Sequence, residues 1–208
     1  ITVGSATEGG NALFTSANAF VATNITITGG DNSAEDSSAE FQDAITATAI
    51  VLQDTASGGT TSIEIAAANG AQTIAGTING GAAGEGTLLL TDDDADAAPD
   101  ALTFSGAIGG TAGLKAITVG SATEGGSAIF TSANPVVATT ISVLGGDNAA
   151  EDSVIEFQGR NATGSRIVLV SVSIDDEVIS AVSPWNVPHQ GFIPYDSQKW
   201  TLVNHGTM

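Results

Sequence analysis

Apolar and small polar residues alternate along short stretches of this chain, as in the Ile-Thr-Ile of residues 25–27 and the Ile-Thr-Val of residues 117–119. A period of two turns one face of a strand inward and leaves the other face wet. No long stretch repeats apolar residues at the i, i+3, i+4, i+7 spacing of an amphipathic helix. The pattern therefore predicts an all-β protein.

The predicted strands are short and are punctuated by Gly, Asn, Asp and Ser. They include the segments NITITG, TAIVLQD, TSIEIAA, QTIAGTI, GTLLLTD, ALTFSG and KAITVG.

The first 43 residues return 116 positions later, without a gap and with 31 of 43 positions identical. Apolar positions stay apolar in the second copy, so we expect the same face to point inward in both. The predicted organisation is a repeat unit at 1–116, a partial second unit at 117–159 and a divergent C-terminal cap or assembly module at 160–208. The second copy of ITVGSATEGG follows a predicted strand, whereas the first copy opens the chain. We therefore expect either a piece of a longer array or an open assembly edge at Ile1, Thr2 and Val3.

Two all-β architectures fit this pattern. One is a β-solenoid, similar to a parallel β-helix, with stacked coils of roughly 20 residues. The other is a series of β-sandwich domains, because 116 residues approach the size of one such domain. Short, closely spaced strands, small residues in the turns and few aromatic residues before residue 160 favour the solenoid.

The charge distribution narrows the range of partners. The chain has 23 acidic and 4 basic residues, and residues 1–114 contain no Lys, Arg or His. Such a surface repels nucleic acid and anionic membranes, since phosphate binding needs cationic side chains. No apolar run is long enough for a transmembrane helix, and cysteine is absent. We therefore expect neither nucleic-acid binding nor membrane insertion.

Clusters of hard oxygen ligands in Gly-containing loops are typical of calcium sites. We consider calcium the one candidate cofactor, against the alternative of solvated acidic turns that cap backbone groups. The candidate ligands lie in two copies of a GGDN loop and in the segment TDDDADAAPDA: Asp31, Asn32, Glu35, Asp36, Asp147, Asn148, Glu151, Asp152, Asp92, Asp94 and Asp96.

Residues 160–208 differ from the rest of the chain in composition. They contain both Trp, the one Tyr and three of the four basic residues. The pattern predicts a β-hairpin followed by an aromatic segment, which serves either as a cap or as an assembly or glycan-contact surface. The candidate contact residues there are Trp185, Phe192, Tyr195 and Trp200.

The segments QTIAGTINGGAAGEGTLLL and ALTFSGAIGGTAGLKAITVG resemble the repeats of large bacterial surface proteins, namely autotransporter-type and haemagglutinin-like adhesins and S-layer-type proteins. The resemblance implies an exported, extended protein that is not an enzyme. Residues 160–208 do not share it.

The function expected from these features is that of an extracellular or cell-surface structural protein, a subunit of a filament, surface layer or adhesin stalk that assembles with itself. The alternative is a carbohydrate- or host-binding module whose partners are cell-surface glycans. No catalytic motif is present: the chain lacks G-x-S-x-G and a phosphate-binding loop.

Overall fold

The computed structural model describes residues 1–16, 18–55, 58–68, 70–93, 99–131, 136–145 and 152–158, together with the backbone of two further strands at 168–174 and 200–204. All of the regular structure in these residues is β-strand. In chain order the strands are β1 (Thr2–Val3), β2 (Asn11–Phe14), β3 (Phe20–Thr28), β4 (Ser37–Phe41), β5 (Ile45–Gln53), β6 (Thr61–Ala66), β7 (Gln72–Gly80), β8 (Glu85–Thr91), β9 (Ala101–Phe104), β10 (Leu114–Val119), β11 (Ser127–Phe130), β12 (Val137–Val143), β13 (Ser153–Phe157), β14 (Val168–Ile174) and β15 (Trp200–Asn204).

Successive strands alternate between two sheets. The odd-numbered strands form one sheet in the order β1-β3-β5-β7-β9-β11-β13-β15, and the even-numbered strands form the other, from β14 back to β2. Every pairing is parallel except that of β13 with β15, which is antiparallel. Each coil therefore adds one strand to each sheet and stacks on the previous coil. This arrangement is the predicted β-solenoid and not a series of antiparallel sandwiches.

The coils are longer than the roughly 20 residues expected from the sequence. Thr2 pairs with Thr26, 24 residues further on, and Val137 pairs with Val168, 31 residues further on. Where the turns are described, Gly, Asp, Asn and Ser residues join the two sheets. Each of the seven segments predicted as strands overlaps a strand of the structure.

One hydrophobic core fills the space between the sheets. Inward-facing Ile, Leu, Val, Ala and Phe side chains form it, and most of them are almost fully buried. Because parallel strands stack in register, like residues lie above one another. The rings of Phe104 and Phe130 lie 5.1 Å apart, those of Phe130 and Phe157 5.2 Å, and those of Phe14 and Phe41 4.5 Å. The period-two pattern thus becomes ladders of apolar side chains along the solenoid.

The two copies of the internal repeat lie on opposite sheets. The residues of β1 and β2 recur in β10 and β11, but β1 belongs to the odd-numbered sheet and β10 to the even-numbered one. Nine strands separate equivalent positions, and a coil contributes two strands. The sequence repeat therefore corresponds to four and a half coils, and the second copy is turned by half a coil about the solenoid axis.

Local geometry is nevertheless conserved between the copies. Thr2 pairs with Thr26 as Thr118 pairs with Ser142, at the same 24-residue separation. In the turn of the first copy Ser5 Oγ accepts the N–H of Glu8 at 3.0 Å, and in the second copy Ser121 Oγ accepts that of Glu124 at 3.0 Å. The repeated sequence thus specifies the turn and the strand register, whichever sheet the strand joins.

Beyond residue 159 the described backbone consists of β14 and β15. β14 adds a parallel strand to β12, and β15 pairs with β13. The predicted C-terminal hairpin has its first strand at β14, and its turn and second strand lie outside the described residues.

Candidate functional sites: acidic turns and an open strand edge

The acidic loop after Thr28 folds around its own side chains. Glu35 Oε2 accepts the N–H of Asp31 at 3.1 Å, and Asn32 Oδ1 accepts the N–H of Ala34 at 3.0 Å. The backbone closes the same turn, since Gly30 N donates to the carbonyl oxygen of Glu35 at 2.7 Å. These oxygens hold the chain reversal between β3 and β4 by accepting backbone N–H groups.

Asp36 connects neighbouring coils, and Asp54 closes the turn between β5 and β6 in a similar way. Asp36 Oδ1 accepts the N–H of Thr60 at 2.7 Å and its hydroxyl at 2.8 Å, and Asp54 Oδ1 makes the same two contacts with Thr61, both at 2.7 Å. The hydrogen bonds from Thr60 lower the pKa of Asp36. Backbone amides and threonine hydroxyl groups are therefore the hydrogen-bond partners of these two carboxylates.

The other predicted calcium ligands are only partly described. Asp92 is 8% exposed and its Oδ2 accepts the N–H of Asp100 at 2.7 Å. Asp152 precedes β13. The remaining five lie outside the described residues: Asp94, Asp96, Asp147, Asn148 and Glu151.

Among the described residues no three His, Cys, Asp or Glu side chains converge as a metal site would require. Calcium binding therefore stays a prediction.

The outward face of the even-numbered sheet carries a row of side chains that sequence reasoning did not single out. Leu13 lies beside Glu40, Glu40 beside Glu64, and Glu64 beside Leu89. They line a shallow groove of about 330 Å³. In the sequence each Glu lies between two apolar residues, which is the pattern of an outward-facing position on a strand. The pattern does not show that the two Glu residues are neighbours, because that depends on the pairing of distant strands.

The charges in this groove are close enough to interact. Burial raises the pKa of Glu64, the hydrogen bond from the Thr91 hydroxyl at 2.8 Å opposes that rise, and the charges of Glu40 and Asp93 add to it. Gln42 links two of these carboxylates, since its Nε2 donates to Glu40 Oε1 at 2.8 Å and to Asp93 Oδ2 at 3.0 Å.

The predicted edge at Ile1, Thr2 and Val3 is the last strand of its sheet in the described structure, and β2 is the last strand of the other. Ile1 is 42% exposed, whereas its counterpart Ile117 is fully buried between β8 and β12.

The exposed large hydrophobic side chains of the described structure all lie near this edge: Ile1, Leu13 and Val21.

The aromatic contact surface predicted in the C-terminal module falls largely outside the described residues. Trp185, Phe192 and Tyr195 are not described, and Trp200 begins β15, of which only the backbone is described. The glycan-binding hypothesis therefore stays a prediction.

No protein-family model, curated protein or solved structure matches this chain. The resemblance to bacterial surface repeats consequently rests on the quoted segments alone. Within the described residues, no helix long and apolar enough to cross a membrane occurs.

Proposed function

We propose that this chain is a structural protein of the cell exterior, which builds a filament, surface layer or adhesin stalk by end-to-end association of solenoids. Its role is mechanical and not catalytic: stacked coils form a stiff body, acidic turns keep that body soluble, and strand edges join one copy to the next. The single observation that carries this proposal is the stack of parallel coils around one hydrophobic core.

The continuous core supports a mechanical role. One cluster of buried apolar side chains extends along the solenoid, with Val3 as its first member and Ile155 as its last. Each parallel strand pairs with the strand of the coil before it. A solenoid of this kind extends by adding coils, because each coil contacts only its neighbours. A further strand can pair with an exposed edge, because the edge presents backbone N–H and C=O groups that have no neighbouring strand.

The position of the exposed apolar side chains supports association through the N-terminal end. Leu13 and Val21 are 59% and 77% exposed and lie on β2 and β3, within the first coils. Leu89 lies on the same outward face as Leu13 but in the middle of the solenoid. The leucine pair therefore offers a matched comparison of an end position with a middle position.

Electron microscopy and sedimentation of the full chain over a range of concentrations test the proposal. We expect rods that lengthen with concentration. A variant with Leu13→Thr and Val21→Thr should form shorter rods, because it loses apolar surface at the proposed contact, whereas Leu89→Thr should behave as the unaltered chain. A single monomeric species at every concentration would contradict end-to-end assembly.

Calcium binding by the turn of Asp31, Asn32, Glu35 and Asp36 is a second part of the proposal, supported by the three carboxylates within six consecutive residues of the sequence. We expect calcium to raise the melting temperature more than sodium chloride of equal ionic strength does, because a ligand specific to the folded state stabilises it. Asp31→Asn should reduce that difference, and Glu8→Gln, which removes one charge from another turn, should not. An equal rise in melting temperature with the two salts would contradict calcium binding.

A further inference from the structure

The two sheets of the solenoid differ in charge. No Asp, Glu, Lys or Arg occurs in β1, β3, β5, β7, β9 or β11 of the odd-numbered sheet, and the first charged residue in that sheet is Glu156 on β13. Four strands of the even-numbered sheet each carry one, at Glu40, Glu64, Glu85 and Lys115. A chain with a net charge of −19 therefore has one sheet that stays uncharged over several coils.

The outward side of β3, β5 and β7 is called the neutral face here. Each of these strands lies between two other strands of its sheet, so the exposure of the face does not come from a missing neighbour. The exposed residues of the neutral face are mainly threonines, and they include Val21, Thr23, Asn24, Thr46, Thr48 and Thr73.

We infer that the neutral face is an interface on which a second copy of this chain packs side by side, sheet against sheet. Copies that each carry a net charge of −19 repel one another, so they can approach closely only where few carboxylates meet. Packing through the even-numbered sheet would instead bring Glu40 and Glu64 of both copies into the contact. This lateral pairing goes beyond the end-to-end association proposed above and does not depend on it.

The charges around the neutral face have the distribution of a protein–protein interface. Such interfaces are depleted of charged residues at the centre and have a polar, solvent-accessible rim. Here the centre is β5, and Asp43 and Asp54 lie in the turns directly before and after it. The rim is therefore acidic, and it opposes pairing only as far as salt leaves its charges unscreened.

A shallow groove gives the neutral face its relief. The groove has a volume of about 400 Å³ and is lined by Val21, Ala22, Thr23, Thr46, Ala47 and Thr48. The register between β5 and β7 shifts between Thr46 and Ala49, at one side of the groove. A second copy related by a two-fold axis presents the same surface, so each copy contributes its groove and the residues around it to the contact.

The size of the face fits a reversible dimer. β3, β5 and β7 have nine residues each, and the uncharged segment 101–109 adds a fourth row through its pairing with β7. At ~3.3 Å per residue and ~4.8 Å per strand the face measures about 30 Å by 19 Å. Two opposed faces then bury roughly 1,100 Å², close to the lower limit of about 1,200 Å² for stable specific interfaces.

Cross-linking tests the pairing directly, because the chain contains no cysteine. Thr48 lies in the middle of β5, and Thr139 is an exposed residue of β12 in the other sheet. Packed sheets lie about 10 Å apart, so a bismaleimide that spans about 10 Å should join two copies of Thr48→Cys. We expect at least tenfold more covalent dimer from Thr48→Cys than from Thr139→Cys.

A charge placed on the neutral face provides a second measurement. Thr23 and Thr139 occupy the same position of the repeat, each after Val-Ala, but they lie on opposite sheets. Thr23→Glu should weaken the dimer at least tenfold in sedimentation equilibrium, because it brings an unpaired charge into the contact, whereas Thr139→Glu should not. Melting of the two variants at low protein concentration shows that each one still folds.

Salt distinguishes a second copy from a cationic partner. Screening of the acidic rim should strengthen the dimer between about 0.01 M and 0.15 M sodium chloride, whereas it weakens the attraction of a cationic partner. Equal cross-linking of the two cysteine variants, or a dimer that Thr23→Glu leaves unchanged, would overturn the inference. Cross-linked dimers without rods would support this interface and contradict end-to-end assembly, whereas rods without Thr48→Cys cross-linking would do the reverse.

Discussion

Individual carboxylates in this chain act mainly as acceptors for backbone donors in the turns. Asp36 bonds to Thr60 of the next coil, and Asp54 bonds to Thr61 across the turn between β5 and β6. The sequence left two interpretations of these acidic turns open, calcium ligands or acceptors for backbone groups. The described turns show carboxylates that accept backbone N–H groups, whereas calcium binding stays a prediction.

Glu64 gives a testable pH dependence at the residue scale. Its pKa is raised in the folded state, so the stability linked to it is fully present below the unfolded value of about 4.3 and is lost as pH rises through the raised folded value. Glu64→Gln should therefore stabilise the protein at pH 7, by at most about 1 kcal/mol since solvent screens a half-buried charge. The gain should shrink toward pH 4.

Urea denaturation at the two pH values measures this effect. Glu8→Gln removes the same charge from an exposed turn and serves as the control. A destabilised Glu64→Gln protein at pH 7 would show that the ionised carboxylate is needed in the groove.

Two glycines with similar backbone conformations allow the energetic cost of backbone strain to be compared with that of steric overlap. Gly84 has φ +86 with nothing within 4 Å of an added Cβ, whereas Gly120 has φ +78 and its Cβ would lie 2.1 Å from the carbonyl oxygen of Leu144. Gly84→Ala should cost roughly 1–2 kcal/mol for the left-handed conformation alone. Gly120→Ala should cost more, about 3 kcal/mol or above. Equal losses in denaturant unfolding would contradict this account.

At the scale of strands and coils, the repeat supplies identical sequences in two environments. Ile117 is fully buried between β8 and β12, and Ile1 is 42% exposed at the edge. We expect Ile117→Ala to lower the free energy of unfolding by about 2–5 kcal/mol, and Ile1→Ala by less than about 1 kcal/mol. Thermal or urea unfolding of the two variants checks the difference. A loss at Ile1 as large as that at Ile117 would mean that the edge is covered in solution.

The sequence predicted the strands well and their placement in space poorly. The Ile-Glu-Ile of residues 63–65 alternates between apolar and polar, and short strands of this kind with small residues in the turns favour a solenoid over a sandwich. The sheet that a strand joins depends on how many strands precede it, and short strands such as β4 and β11 are easily missed in such a count. The contact of Glu40 with Glu64 likewise depends on the register between two coils.

At the scale of the whole molecule, self-repulsion opposes folding. The net charge is −19, and Lys115 is the one basic residue before Arg160. Raising the salt concentration from about 0.01 M to 0.15 M shortens the Debye length from about 30 Å to 8 Å and weakens repulsion between turns on different coils. The melting temperature should rise over this range, by roughly 2–4 °C for each 1 kcal/mol gained.

Scanning calorimetry in sodium chloride checks the expected rise, and an uncharged osmolyte such as sucrose serves as the comparison, because it acts on burial and not on charge. A melting temperature that stayed constant or fell with salt would show that the charges of the turns do not oppose folding.

The half-coil offset also limits how such a protein can change in length. Duplication or loss of one 116-residue unit would turn every following segment to the opposite side of the axis, while the strand register was kept. Gain or loss of two units would restore the original facing. Lineages that vary the length of this chain but must present its distal end in one direction should therefore differ by even numbers of units.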